Sequence, residues 1–227
     1  RIDGVPGHDA EFYKHCGVCA EDQRFYGAPV SREVPIDFPV QGANSVEIVA
    51  IKLEGETPRA ALWKSEGDED NDLQELIGGP QFVREEAAYL VDRALKFGLV
   101  PVAYTAYLDG EFGCVLMYSN GNKPAEDPYT YGDVWIEKAA VLDFVIANVD
   151  RHRGNYLTHP DDPARMILID NGLSFPSSPE KNAASSFVEN MREMPLNPVT
   201  LDALAWLRTA PLWEEIRNLV GSTAMQL

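Results

Sequence analysis

The chain has 227 residues, 45% hydrophobic and 24% charged, the balance of a soluble globular protein with one core or one domain of two lobes. Nineteen basic against 36 acidic residues give a net charge of −17, a surface that repels nucleic acid and anionic lipid headgroups. No apolar run approaches the roughly 20 residues that cross a bilayer, and no secretory signal opens the chain, which starts at Arg1 and so reads as a trimmed piece.

Residues 1–35 have mixed polarity and no clear period, and are expected to form an extension or linker. Within them Cys16 and Cys19 make a Cys-x-x-Cys turn, half of a zinc site to which His8 or His15 could add a third ligand. No second cysteine pair completes it, and otherwise these are reduced thiols of a cytoplasmic protein. Cys114 lies among apolar residues and is expected in the core.

From Pro35 the pattern turns to strands: Ile36–Val40, then Val46–Ile51 with β-branched alternation, then the short run Ala60–Lys64 that ends on a lysine. The turn from Gly42 to Ser45 is either a nest of backbone N–H groups for an anion or a plain hairpin turn. The acidic run Glu66–Asp72 reads as a solvated loop. Val83, Ala87, Leu90 and Ala94 recur at helical spacing, so a helix is predicted from Pro80 to about Lys96, with Gly98 as its stop. It carries Glu85 and Glu86. Leu99–Tyr107 and Gly113–Tyr118 flank an Asp109-Gly110 turn signal and are predicted to pair as a hairpin.

Residues 119–131, rich in Gly, Asn, Pro and Asp, form a polar connection to a mostly helical second half. A helix is predicted over Asp133–Asn148, and others over 199–208 and 211–220, with Pro211 well placed at a helix start. Ser174–Asn197 between them reads as irregular. The fold class is α+β with two lobes, 36–118 and 119–227.

The most informative string is Val145-Ile-Ala-Asn-Val-Asp-Arg-His-Arg-Gly-Asn-Tyr-Leu157, followed by Met166-Ile-Leu-Ile-Asp-Asn-Gly172. An apolar helical stretch delivers the chain to a polar loop in which Asn155 follows Asp150 by five residues, and a short apolar run then presents Asp170. Phosphoryl transfer needs a carboxylate near the attacking hydroxyl and an Asn and an Asp that hold Mg²⁺ against phosphates. Any one of these residues is an ordinary loop residue; two apolar elements each ending in the needed acids are not.

Asp150-Arg151-His152-x-x-Asn155 with Ile169-Asp170-x-Gly172 resembles the catalytic and metal loops of the phosphatidylinositol 3-/4-kinase-like superfamily, which includes bacterial HipA-type protein kinases. Ordinary protein kinases read His-Arg-Asp at the first position, with the same step from Asp to Asn. The resemblance implies a two-lobed protein-kinase-like fold and the cofactors ATP and Mg²⁺. It implies Asp150 as catalytic acid/base, with His152 as a second candidate or a stabiliser of the transferring phosphoryl group. Arg151 would stabilise the loop or the charge on the γ-phosphate, and Asn155 and Asp170 would bind Mg²⁺. It makes Lys64 the lysine on the nucleotide phosphates, held by Glu85 with Glu86 as the alternative. Gly42 and Ser45 would lie over the phosphates, and Val115 to Tyr118, Met117 included, would wall the adenine. Asn171 stands where many kinases have Phe.

The expected activity is an ATP- and Mg²⁺-dependent phosphotransferase acting on a protein Ser/Thr hydroxyl, in itself or in a partner. A lipid or small-molecule kinase, an AMP transferase and a non-catalytic interaction module remain alternatives. Nucleic acid and stable membrane association are not expected at this charge.

Overall fold

The computed structural model describes residues 24–34, 46–69, 71–178 and 183–221. The expected strand Ile36–Val40, the Gly42–Ser45 turn and the Cys16/Cys19 pair with His8 and His15 lie outside them.

The first lobe is built on a five-stranded antiparallel sheet of order β1-β2-β3-β5-β4. Its strands are β1 (Val30–Ser31), β2 (Glu47–Ile51), β3 (Arg59–Ser65), β4 (Ala103–Leu108) and β5 (Glu111–Met117). The β4–β5 hairpin closes through Asp109 and Gly110, at φ 53° and 90°, a two-residue turn whose left-handed positions explain that dipeptide. Ladder pairing begins at Ala103 rather than at the expected Leu99. The Leu99 and Val100 N–H groups are instead taken by the buried Asp92 carboxylate at 3.0–3.2 Å, and Pro101 has no N–H to give.

Two helices follow β3. The acidic run is not a bare loop: a 3₁₀ turn at Glu66–Asp68 leads into α1 (Asn71–Ile77). The Glu69 carboxylate accepts the Gln81 and Phe82 backbone N–H groups at 2.8 and 2.5 Å, covering the first donors of α2 (Phe82–Leu95). Every residue of α2 except Arg93 is buried. Its covering includes the sheet and two helices from the end of the chain.

Residues 24–34 belong to this lobe rather than to a free extension. Phe25 is buried, the Tyr26 hydroxyl bonds Glu86, and the Tyr104 hydroxyl donates to the Ala28 carbonyl at 2.7 Å.

The second lobe holds α3 (Asp133–Val145), the hairpin of β6 (Tyr156–Thr158) and β7 (Met166–Leu168), α4 (Ser186–Met191), α5 (Pro198–Leu207) and α6 (Trp213–Val220). Helix α3 ends before the expected Asn148 because Ala147 turns left-handed at φ 48°. Helix α4 lies inside the stretch expected to be irregular. Its fully buried apolar residue, Phe187, has its ring 5.3 Å from that of Tyr156. An antiparallel sheet with one central helix, joined to a helical half that carries a short hairpin, is the α+β, two-lobed, kinase-like arrangement.

Candidate active site

Three side chains from three elements meet between the lobes. Lys64, near the end of β3, places its Nζ 2.5 Å from Glu85 Oε1 on α2 and 2.7 Å from Asp170 Oδ1 after β7. Glu85 is almost sealed from solvent, whereas Asp170 is more than half exposed. Burial alone would depress the Lys64 ammonium, but the two carboxylates outweigh it and hold its pKa above the ordinary lysine value. In return the Lys64 charge, helped by Arg151 and His152 and opposed by burial, holds Asp170 below the usual carboxylate range. Glu85 also accepts the Asn171 backbone N–H on Oε2 at 2.9 Å, so one carboxylate fixes both the lysine and the loop that bears Asp170.

Glu86 has a different occupation. It is buried against the Tyr26 hydroxyl and the Thr105 N–H, the latter at 2.8 Å, and Glu85 is the one that meets Lys64.

The loop after α3 is shaped by its own polar groups. Asn148 Oδ1 accepts the Asp150 N–H at 2.8 Å, and Asn155 Nδ2 donates to the Asp150 carbonyl at 2.8 Å. With Nδ2 so committed, the Asn155 oxygen is the atom that could meet a cation. The Ile169 N–H reaches the Asn155 carbonyl at 3.0 Å, which brings Asn155 beside the Asp170 turn. Asp170 itself is left-handed at φ 55°, a conformation that a non-glycine residue adopts only where its surroundings fix it.

His152 Nδ1 accepts the Gly154 N–H at 2.9 Å, so the neutral ring carries its proton on Nε2. That nitrogen lies 3.8 Å from Asp150 Oδ2, and both side chains are open to solvent.

Arg151 points the other way. None of its side chain is exposed. It grips the Asp143 carboxylate at 3.0–3.2 Å, the Asn155 and Ile169 carbonyls at 2.5 and 2.8 Å, and Asn171 Oδ1 at 2.5 Å. Of the two jobs expected of it, the geometry leaves bracing the loops, since a guanidinium sealed among these acceptors does not face the cleft.

Two of the residues expected in the adenine wall lie on the far side of the sheet from Lys64. Val115 is fully buried and pairs with Trp63, while Lys64 pairs with Cys114; Met117 pairs with Ala61. Directly opposed residues share a face and neighbours alternate, so Val115 and Met117 lie on the sheet face away from Lys64. The half-buried pair Leu62 and Leu116 shares the lysine's face instead. For Leu62 the signal was present in the sequence as the period of two counted back from Lys64; Leu116 depends on the β3–β5 register. Asp143 and Arg84 were also missed; a buried ion inside a helix leaves no local pattern. Cys114 is buried as expected, and burial pushes its thiol pKa up.

Among the described residues no group of three or more His, Cys, Asp or Glu is arranged to hold a metal. The Asn155 amide and the Asp170 carboxylate, on backbones joined by the Ile169 N–H to Asn155 carbonyl bond, offer hard oxygens of the kind that suits Mg²⁺.

Fold and cleft together define a kinase-like chain. No protein-family model matches it. In sequence it is similar to phosphatidylinositol 4-kinase gamma 4 of Arabidopsis thaliana, 28% identical over 126 residues, covering 44% of this chain and 22% of that protein. It is also similar to phosphatidylinositol 4-kinase gamma 4 of Oryza sativa subsp. japonica, 26% identical over 161 residues, covering 63% of this chain and 26% of that protein. The chain thus spans about a quarter of the length of these relatives. Among solved structures it is similar to the Helicobacter pylori proinflammatory kinase CtkA, with a TM-score of 0.48 and 11% identity over 89% of this chain and 92% of that one. Hydra Fam20 gives 0.46 and 13% over 96% and 87%. The Rio2 kinase of Chaetomium thermophilum, in complex with ADP/Mg²⁺, gives 0.38 and 12% over 95% and 75%. At these scores the structural likenesses add no weight to the geometry of the cleft. No helix among the described residues is long and apolar enough to cross a membrane.

Proposed function

We propose that this chain is an ATP- and Mg²⁺-dependent phosphotransferase of the phosphatidylinositol-kinase-like type, acting on a protein Ser/Thr hydroxyl. The observation that carries the reading is Lys64 held between Glu85 and Asp170 beside the loop of Asp150 and Asn155. Each part matches a need of phosphoryl transfer, in which catalysis is mostly positioning and electrostatics. The Asp-Arg-His order of residues 150–152 supports a place near the HipA-type and phosphoinositide kinases rather than the ordinary protein kinases.

Bound Mg·ATP would supply the phosphoryl group and the cation that offsets its charge. Lys64 would grip the α/β-phosphates, and Asn155 and Asp170 would hold the cation through oxygen. Asp150 would accept the proton of the attacking hydroxyl, the usual part of a half-exposed carboxylate at this position. His152, with its proton on Nε2, would donate a hydrogen bond toward the transferring group rather than act as base. Arg151 would keep the two loops in register, and Leu62 and Leu116 would form the adenine wall.

A protein substrate is favoured over a lipid because a chain of net charge −17 is repelled by anionic membranes. A cytoplasmic site of action goes with that choice. The names of the sequence relatives support a second reading, transfer to a phosphoinositide hydroxyl.

The test is incubation of the chain with γ- and α-labelled ATP and Mg²⁺, with mass detection, for wild type, Asp150→Ala and Asp170→Ala. Transfer of γ-label that both substitutions abolish is the expected result. Label arriving only from the α-position would replace phosphoryl by AMP transfer. The absence of any label, with melting unaffected by nucleotide, would overturn the enzyme reading. Parallel reactions with casein-type protein and with phosphoinositide vesicles distinguish the two acceptors.

A further inference from the structure

Arg84 is fully buried, next to Glu85 on α2, and plays no part in the reading above. Its guanidinium spends all three nitrogens on backbone carbonyls. Nε donates to Pro80 at 3.0 Å, one terminal nitrogen to Ile77 at 3.2 Å, and the other to Ser174 at 2.7 Å and to Phe175. Phe175 adopts a left-handed backbone, φ 50°. No carboxylate bonds the guanidinium among the described residues; Glu69 acts on it only through space, and burial pushes its pKa down to about 10. A buried charge held by neutral acceptors alone is expensive, and it persists where removal would orphan several buried carbonyls at once.

Those carbonyls tie three pieces of chain together. The end of α1 is joined again to the same segment by the Ser177 N–H, which donates to the Ile77 carbonyl at 2.8 Å. The contact is close: a Cβ at Gly78 would fall 2.0 Å from Ser177 Oγ. At the other end of the segment Glu85 holds the Asn171 N–H, and the Phe175 N–H bonds the Ile146 carbonyl at 2.7 Å. Two adjacent residues of one helix therefore hold both ends of the stretch that follows Asp170.

In a switchable site such a stretch is ordered by a phosphate drawn to arginines. Here a buried arginine already does the ordering from inside, and Ser174 is itself wholly buried.

We propose that Arg84 is a positioning residue that fixes Asp170 for cation binding by anchoring residues 174–175 to α2, so that the site assembles without phosphorylation of the segment after Asp170. The role in cation binding rests on the phosphotransferase reading; the anchoring does not.

The experiment uses the full chain as wild type, Arg84→Gln and Arg84→Lys, each with and without phosphatase treatment. Amide hydrogen exchange of Asn171, Phe175 and Ser177 is followed without nucleotide, and ATP affinity is measured with Mg²⁺ and with EDTA. In Arg84→Gln the three amides should exchange at least tenfold faster. Its ATP affinity should fall about tenfold with Mg²⁺ but less than threefold in EDTA, with Arg84→Lys between it and wild type. Phosphatase should change neither measurement in wild type. Unchanged exchange in Arg84→Gln would overturn the anchoring, as would protection lost on phosphatase treatment. Equal loss with Mg²⁺ and with EDTA would reduce Arg84 to a structural part. If Arg84→Gln does not fold, the Arg84→Lys exchange pattern decides by the same criteria. Wild type that binds no ATP would overturn the phosphotransferase reading and with it the cation role, while the exchange data still decide the anchoring.

Discussion

The Arg151 guanidinium lies against both oxygens of the Asp143 carboxylate, at 3.0–3.2 Å, with neither side chain exposed. Asp143 comes from α3 and Arg151 from the loop after it, so the pair fastens the loop to its own helix. The remaining donors of Arg151 then reach the Asn155 carbonyl of the same loop and the Ile169 and Asn171 acceptors of the loop that carries Asp170. Buried pairs are costly to break from one side, because a lone charge is left in a low dielectric. Asp143→Ala should therefore cost about 3–5 kcal/mol in urea denaturation. Asp143→Leu combined with Arg151→Met should lose less than either single change, yet leave phosphoryl transfer impaired because the loops lose their shared brace. A single-site cost under about 1 kcal/mol would contradict this role for the pair.

Glu85 and Glu86 are both buried, but only one should matter to turnover. Gln at 85 offers one acceptor oxygen where Glu85 uses two, for Lys64 and for the Asn171 N–H. Glu85→Gln should lower turnover by tenfold or more, and Lys64→Met by ~10²-fold or more, the scale seen when one preorganised electrostatic group is removed. Glu86→Gln disturbs the Tyr26 and Thr105 contacts and should lower the melting temperature with near-normal turnover per folded molecule. Steady-state kinetics corrected for the folded fraction check all three, and equal losses at 85 and 86 would count against the Lys64–Glu85 pair as the nucleotide anchor.

Acid should weaken the cleft in a way that Asp170 controls. Lys64 holds the folded-state pKa of Asp170 below its unfolded value, so the unfolded chain binds the extra proton first as pH falls. The stabilisation is present above the ordinary carboxylate range, near pH 3.9, and is lost as pH drops through the depressed folded value. Lys64 has the opposite sign: its raised pKa contributes stability that disappears only at strongly alkaline pH. Thermal melts from about pH 5 downward should fall less steeply for Asp170→Asn than for wild type. Parallel acid limbs would mean that the Lys64–Asp170 bond contributes nothing in solution.

Much of this cleft was legible because its parts are local. The Asp150–Asn155 step and the apolar run before Asp170 are short-range patterns, and the helix of Glu85 announces itself by its 3.6 period. What stayed hidden depends on residues far apart in the chain. Arg151 has two possible jobs in the sequence, bracing the loop or meeting the γ-phosphate, and the enclosure by Asp143 and Asn171 that separates them comes from distant residues. The Glu66–Asp72 run looked solvated, although Glu69 is needed 12 residues later to cap α2. Helix α4 rests on the burial of Phe187 against Tyr156, a tertiary contact with no sequence period behind it. Residues 24–34 read as a linker because Phe25 and Tyr26 find distant partners on β3, α2 and β4.

The two faces of β5 give the sharpest contrast between stability and binding. Val115 is fully buried opposite Trp63, so Val115→Ala should leave a cavity and cost about 1–3 kcal/mol. Its effect on ATP affinity should be no more than about twofold once folding is accounted for. Leu116 and its partner Leu62 are half-buried on the Lys64 face, where apolar surface stays available to a flat ring. Leu116→Ala and Leu62→Ala should each change stability by less than about 1 kcal/mol, because each side chain keeps part of its surface in water already. Each should weaken ATP binding by about five- to tenfold, the loss of roughly 1 kcal/mol of apolar contact. Calorimetric titration alongside thermal melts separates the two outcomes. If Val115→Ala weakens ATP binding while Leu116→Ala does not, adenine lies on the other face of the sheet and the cleft assigned here is the wrong one.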